Sequence, residues 1–486
     1  MTGNRKLIVT MFLLSPGWLL PAGCNGTTAS FPDKAIAVSN ARADYDTDAD
    51  GSADFFCMFD PSGRIDRIAY DRNGDGKPDE IIHLDAVNPR LSRHLVLVLD
   101  GFPFDVVREF YDSGHLRMFH IPAAVIPPYP VMTDLCLEDA FGYMPCTGVE
   151  AKYYHRAKRT VVGGTGDYLA GKNEPFAKII NYRASPLDDG TAYMNPKAMF
   201  EKELAEVKRL WDRRESMELI AYFVSTAGMG SRFGKEGQIH ALGRLEQFIG
   251  QILFETHGLV KVTLFADHGQ TNIPYTLAGI DKHLKTKGWN LVNRLRGNKD
   301  VVMIKFGLVT CATFNTLNSA GLADDLLSSE SVELASYVEG DAVIVRTKNA
   351  KAVIKSADGK TFEYNPVVGD PLKLGVKGGI NGRELLKTAT DGKCEYPDAL
   401  YRLWRAHFAM VENPPDVIVS LFDRYCTGSG FFSGVMKRSS THGGLNWKNS
   451  ATFIMSSAGA INGPLRSEDI PGELGKIFNR PFPAMK

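Results

Sequence analysis

Two short, nearly all-apolar runs end on acidic residues. Leu95–Leu99 leads into Asp100, and Val262–Phe265 leads through Ala266 into Asp267 and His268. Runs of this kind mark strands buried on both faces of a parallel sheet. Ligands of open α/β sheets bind beyond the carboxyl ends of the strands, so both carboxylates are expected to face one crevice. A carboxylate at a dry strand end is costly unless something neutralises it, and a divalent metal does so well. A hydroxyl is expected at the same place. The proline-stiffened segment Pro127–Thr133 ends in a threonine ahead of a helical stretch, Asp134 to Phe141. That presents Thr133 at a helix N-terminus, where backbone N–H groups favour phosphate. A threonine hydroxyl is a poor nucleophile near neutral pH, and a bound metal lowers its pKa. Far downstream, His442 sits in the loop Thr441–Gly444, ahead of the strand-like Ala451–Met455.

The elements around these residues read as α/β. From Leu91 to about Ile273, strand-like runs alternate with helical ones. Phe200, Leu204, Val207 and Trp211 share one face of a helix over 199–217, and Ile239, Leu242, Leu245, Ile249 and Leu253 one face of a helix over 236–256. Character changes over 281–375, where Val301–Lys305, Asp341–Val345 and Lys351–Lys355 read as strands of an inserted α+β cap. The α/β pattern returns in Pro415–Leu421 and Ala451–Met455. His94, His115, His120, His155, His240 and His257 lack paired spacing and read as structural. The lone Gly163–Gly166 turn carries no dinucleotide fingerprint.

Residues 44–85 hold an internal repeat of acidic loop and strand. Asp46, Asp48, Asp50 and Asp54 in the first unit match Asp71, Asn73, Asp75 and Asp79 in the second, with Gly51 and Gly76 at the same offset. Oxygen ligands at alternate positions around a glycine turn suit calcium. The spacing resembles EF-hand-like, dockerin-like and thrombospondin type 3 loops, with an Asp in place of the closing Glu of a full EF-hand. One or two calcium ions are expected, the alternative being solvated acidic turns.

The first 24 residues read as a targeting segment, with Arg5 and Lys6 ahead of an apolar stretch from Leu7 to Leu20. Its ending, Leu19 to Cys24, resembles a bacterial lipoprotein cleavage site, which makes Cys24 a lipidated mature N-terminus. Ordinary secretion and an uncleaved anchor are the alternatives. A tether over 25–43 would then connect a cell-envelope membrane to the repeat. Six cysteines remain (Cys57, Cys136, Cys146, Cys311, Cys394 and Cys426), enough for complete pairing in an exported protein or equally suited to buried thiols. No CxxC pair exists, which excludes a zinc ribbon. Lys and Arg total 56, as do Asp and Glu, so no global field argues for nucleic acid.

Taken in order, Asp100, Thr133, Asp267, His268 and His442 resemble the alkaline phosphatase superfamily, in particular its phosphodiesterase/nucleotide pyrophosphatase branch with a threonine nucleophile. The likeness covers about residues 91–275 and 378–475. It rests on Leu97–Gly101, Ala266–Gly269, Thr441–Gly444 and the closing stretch Gly463–Arg466 and Asp469–Ile470. It implies helices around a mostly parallel sheet over 91–280 and 376–486. By the same likeness Asp100, Asp267, His268 and Thr133 form one zinc-type site with its nucleophile. His442 corresponds to a ligand of a second site, giving one zinc ion or two. The chain departs from that pattern where a further Asp and His are expected, at Ala227 and Ser231. The resemblance therefore implies an exported metal-dependent hydrolase of phosphoric esters, phosphodiester or nucleotide-like, whose partners are a small anionic ligand and, through its lipid, a membrane. The alternatives are a catalytically impaired calcium-binding surface lipoprotein that holds a ligand or glycan, and a mainly structural spacer or adhesion module.

Overall fold

The run that ends on Asp100 becomes the strand Arg93–Leu99, enclosed within a six-stranded sheet. In this computed structural model, residues 31–169, 175–185, 188–390, 392–429 and 439–483 are described; the targeting segment and Cys24 lie outside them. The strand order is Glu218–Phe223, Arg93–Leu99, Val260–Ala266, Thr452–Ser456, Ala123–Ile126 and Leu465–Arg466. Five strands run the same way and Thr452–Ser456 runs against them, so the expected α/β class with a mostly parallel sheet is what forms. Leu99 is level with both Phe223 and Ala266, which brings the carboxyl ends of three strands together.

Helices cover both faces. Leu95, Leu97 and Leu99 pack towards the helices Pro196–Asp212 and Ser225–Glu255, while Val96 and Val98 pack towards Leu137, Leu474 and Phe478 on the other side. This two-residue alternation with both faces apolar is why the strand contains no polar residue between His94 and Asp100. The helix expected over 236–256 starts earlier, at Ser225, and is broken at Gly234, where φ is 60° and ψ −144°. Its inward stripe runs through Gln238, Leu242, Leu245 and Ile249, and Ile239 is exposed. A glutamine therefore takes an inward place that the apolar pattern gives to its neighbour.

A second, nine-stranded sheet is built from Asn290–Leu291 to Gly378–Asn381. The strand Val417–Leu421, which reads by sequence as part of the returning α/β pattern, sits at the centre of this sheet, between Cys311–Thr316 and Val332–Glu339 and antiparallel to both. Its composition misleads because a central antiparallel strand covered on both faces is as apolar as a parallel one. The helix Ala399–Phe408 packs on this sheet through Leu400, Leu403 and Ala406. It also grips the first: Asp398 and Arg466 form a bidentate pair, and Arg405 meets Asp139 at 2.6 Å.

The N-terminal repeat forms a five-stranded antiparallel sheet over Ala37–His83. Residues 31–43, expected as tether, are already part of it: Ala37 pairs with Asp44, and Phe31 packs against Tyr45, Phe55 and Phe254. All six described cysteines are free thiols, including Cys136 and Cys146, which are near in sequence but unbridged. Among the described residues no helix is long and apolar enough to cross a membrane.

Glu203, fully buried, accepts from the Ser225 hydroxyl at the start of the long helix, and its Oε1 has no partner. Burial raises its carboxyl to about 8, with the backbone donors of Ser225 and Val224 opposing and Asp100 adding to the rise. A carboxyl raised on folding contributes stability at pH below the unfolded value, and that contribution is lost as pH climbs towards the folded value. Thermal melts should therefore weaken from about pH 4.5 to 8, and Glu203→Gln should flatten that slope. An unchanged slope would assign it to other groups.

Candidate functional site

Asp100 and Asp267, on adjacent strands, leave the sheet side by side, and His268 follows at once. Together they offer three donor atoms within 4.8 Å of one another, all from buried residues. His268 Nε2 lies 3.6 Å from Asp100 Oδ1 and 3.4 Å from Asp267 Oδ2. The tautomer follows from the opposite ring nitrogen. Nδ1 faces the Gly269 carbonyl at 2.9 Å, and a carbonyl only accepts, so Nδ1 carries the proton. Burial lowers the imidazole to about 4, which keeps it neutral. A lone pair and two carboxylates thus converge.

The carboxylates are held by their other oxygens. Asp267 Oδ1 accepts from the backbone N–H of Gly101 (3.0 Å) and of His268 (2.7 Å), while Oδ2 is buried with no hydrogen-bond donor. Burial pushes Asp267 well above the carboxylate range. Asp100 Oδ2 accepts from the Tyr222 hydroxyl at 2.7 Å. Gly101 turns the chain away at φ +66°, which a side chain would resist. An orphaned buried oxygen beside a second carboxylate and an imidazole lone pair is a poor arrangement for an empty protein interior and a good one for a divalent cation. These residues fit the zinc-type ion that the sequence led us to expect.

Thr133 begins the helix Thr133–Ala140, one residue ahead of the helical stretch expected from sequence. It is half-buried, and its Oγ1 is 3.1 Å from His268 Nε2, to which it donates. The hydroxyl of the helix's first residue is therefore at the cation cradle. His442 stacks on His268, with ring centroids 3.8 Å apart and planes at 19°. Its Nδ1 donates to the Val131 carbonyl at 2.8 Å, which ties the loop to the approach to Thr133. His442 is not one of the three converging donors.

Ala227 and Ser231 both fall within the helix Ser225–Glu255. They occupy the first turns of the long helix and are almost completely buried. Ala227 has no donor atom, and Ser231 Oγ accepts from Gln270 Nε2 at 3.4 Å. Among the described residues no second group of three acidic, histidine or cysteine donors converges at this end of the sheet. Tyr222 and Gln270 were not singled out by the sequence, although each left a trace: a lone tyrosine near the end of a buried strand, and an amide two residues after His268.

The acidic loops connect Arg42–Tyr45 to Phe55–Phe59 and Ile65–Tyr70 to Glu80–His83. They share one hydrogen-bond pattern. Asp46 accepts from Gly51 N–H and Asp71 from Gly76 N–H; Asp54 accepts from Thr47 N–H and Asp79 from Arg72 N–H. In the first loop Asp46, Asp48 and Asp50 converge within 4.8 Å; in the second, Asn73 takes the place of the middle carboxylate.

No family model matches the chain, and no curated protein matches it. Among solved structures it is similar to murine ectonucleotide pyrophosphatase/phosphodiesterase 5, at 10% identity and a TM-score of 0.42, over 80% of this chain and 95% of that one.

Proposed function

We propose that the protein hydrolyses phosphoric esters with Thr133 as nucleophile. The observation that carries this reading is the convergence of Asp100, Asp267 and His268 on one point, with the Thr133 hydroxyl bonded to His268. A divalent ion of zinc type held by these three residues would acidify the hydroxyl and neutralise charge on the phosphoryl group. The Thr133 helix presents its first N–H groups to phosphoryl oxygens. Thr133 Oγ1 forms the bond to phosphorus as the ester alcohol leaves, and water then cleaves the phospho-threonine. Tyr222 and the Gly101 N–H hold the carboxylates in place throughout. Phosphodiesters and nucleotide-like esters are the substrates proposed.

Turnover of phosphomonoester, phosphodiester and sulfate-ester substrates, with and without a chelator, tests the reading. Chelator-sensitive release from a phosphate ester is the expected result; no turnover of any ester by protein loaded with zinc would overturn it. The second reading, an impaired relative that binds an anionic ligand or glycan without turnover, is favoured by one observation: Ala227 and Ser231 supply no second set of ligands. In that case the same panel shows binding without release.

For the envelope placement we propose lipidation at Cys24, tested by the mass of the mature N-terminus; an unmodified chain would remove the anchor. The acidic loops are proposed as calcium sites, with Asp46, Asp48, Asp50 and Asp54 forming the stronger. Calcium should raise the melting temperature of the protein, because it relieves repulsion between neighbouring carboxylates. Identical melts in calcium and in chelator would sink that assignment.

A further inference from the structure

Behind the cation cradle, buried amides form a chain with one direction. Asn272 Nδ2 donates to Gln238 Oε1 at 2.7 Å. Gln238 Nε2 donates to Gln270 Oε1 at 3.1 Å and to the Gly101 carbonyl at 3.3 Å. Gln270 Nε2 donates in turn to Ser231 Oγ at 3.4 Å. Gln238 is completely enclosed, and Gln270 and Ser231 nearly so. Every member is neutral.

Two observations tie this chain to the site. The first is space. A Cβ on Gly101 would lie 3.5 Å from both Gln270 Oε1 and His268 Cε1, and one on Gly230 would collide with Gln270 Oε1. Gln270 therefore fills the gap between the long helix and the cradle. The second is support. Gly101 receives Gln238 on its carbonyl and uses its own N–H to hold Asp267 Oδ1 at 3.0 Å. Gln238 thereby fixes the residue that orients a carboxylate of the cradle.

Charge leads to the same result. Asp100 and Asp267 balance one divalent ion, and His268 is neutral. A second ion would stand beside neutral amides in a buried place, and an uncompensated charge there is costly. A buried amide is costly when its polar atoms are unpaired, and Gln238 has its oxygen and both amide hydrogens paired, which argues for a role in placing the groups it bonds.

We propose that this amide chain occupies the place of a second cation, with Gln238 a positioning residue for Asp267, so that the site is complete with one ion. The inference rests on the cradle reading above. Zinc content and affinity of the full chain test it, read by elemental analysis and by competition with a chromophoric chelator. The native protein should hold one zinc ion per chain. Gln238→Met, similar in length but without donors, should still hold one, about tenfold or more weakly. The triple variant Gln270→Ala, Ala227→Asp and Ser231→His empties the filled space and adds a carboxylate and an imidazole beside it, and should raise the content to two.

Two ions on the native protein would overturn this inference while leaving the cradle intact; none would overturn the cradle and the inference with it. Native affinity in Gln238→Met would also overturn it. If Gln238→Met fails to fold, the triple variant decides alone. Two ions support the amide chain as a replacement, and one ion overturns it.

Discussion

Thr133→Ala is expected to lower ester turnover by about a thousandfold or more, while zinc affinity and fold stability change little. The hydroxyl makes one side-chain hydrogen bond, to His268 Nε2, and its helix position is half-buried, so its removal leaves no cavity in the core. Alanine is also the best helix former, and that offsets part of the lost contact. Thr133→Ser keeps the oxygen and should recover most of the rate, which separates nucleophilic loss from local misfolding. A covalent phosphate adduct should be trapped on the native chain and be missing in Thr133→Ala. Turnover in Thr133→Ala equal to that of the native protein would mean that water attacks directly, and would remove Thr133 from the mechanism.

Asp398→Ala should cost about 3–5 kcal/mol, because it leaves a buried guanidinium without its partner. Asp398 holds Arg466 through both carboxylate oxygens, at 2.6 and 3.1 Å, and both side chains are excluded from water. Glu468, 3.6 Å from Arg466, and the Tyr401 ring, 3.4 Å from the guanidinium carbon, retain part of the interaction. The nearby pair Arg383–Asp469 is a useful contrast. Its arginine is half exposed, and breaking it should cost at most about 1 kcal/mol. Adding Arg466→Met to Asp398→Ala should recover much of the loss, since the unpaired charge goes with it. Denaturant melts of the single and double variants check this; equal midpoints for Asp398→Ala and the native protein would show that the pair does not clamp the two sheets.

The sequence and the structure agree most closely where a signal is local. A strand covered on both faces has no polar residue until it leaves the sheet, so Leu95–Leu99 and Val260–Ala266 announced both themselves and the carboxylates that follow. Most of each helix stripe was readable, but the long helix begins at Ser225, well ahead of its apolar stripe, and Gln238 takes an inward place within it. There, a single inward polar residue carried no hint of the partners that make it tolerable. The repeat over 44–85 was visible as spacing because each acidic loop closes on its own backbone.

Pairing across long separations was not readable. Val417–Leu421 has the composition of the first sheet and belongs to the second. Ala227 and Ser231 were identified as departures from a pattern, but whether the gap was open or filled depended on Gln270. The cysteines allowed complete pairing, and the fold places them apart or leaves them unbridged.

By itself, then, the sequence determined the α/β class and the acidic repeat and placed Asp100 and Asp267 at the ends of buried strands, since each follows from a short stretch and its own burial. Tertiary structure alone decided that His442 stacks on His268, that Tyr222 holds Asp100, and that neutral amides fill the space beside the cradle. These are contacts between groups tens to hundreds of residues apart, and their geometry is set by how whole layers pack, which no short stretch of chain encodes.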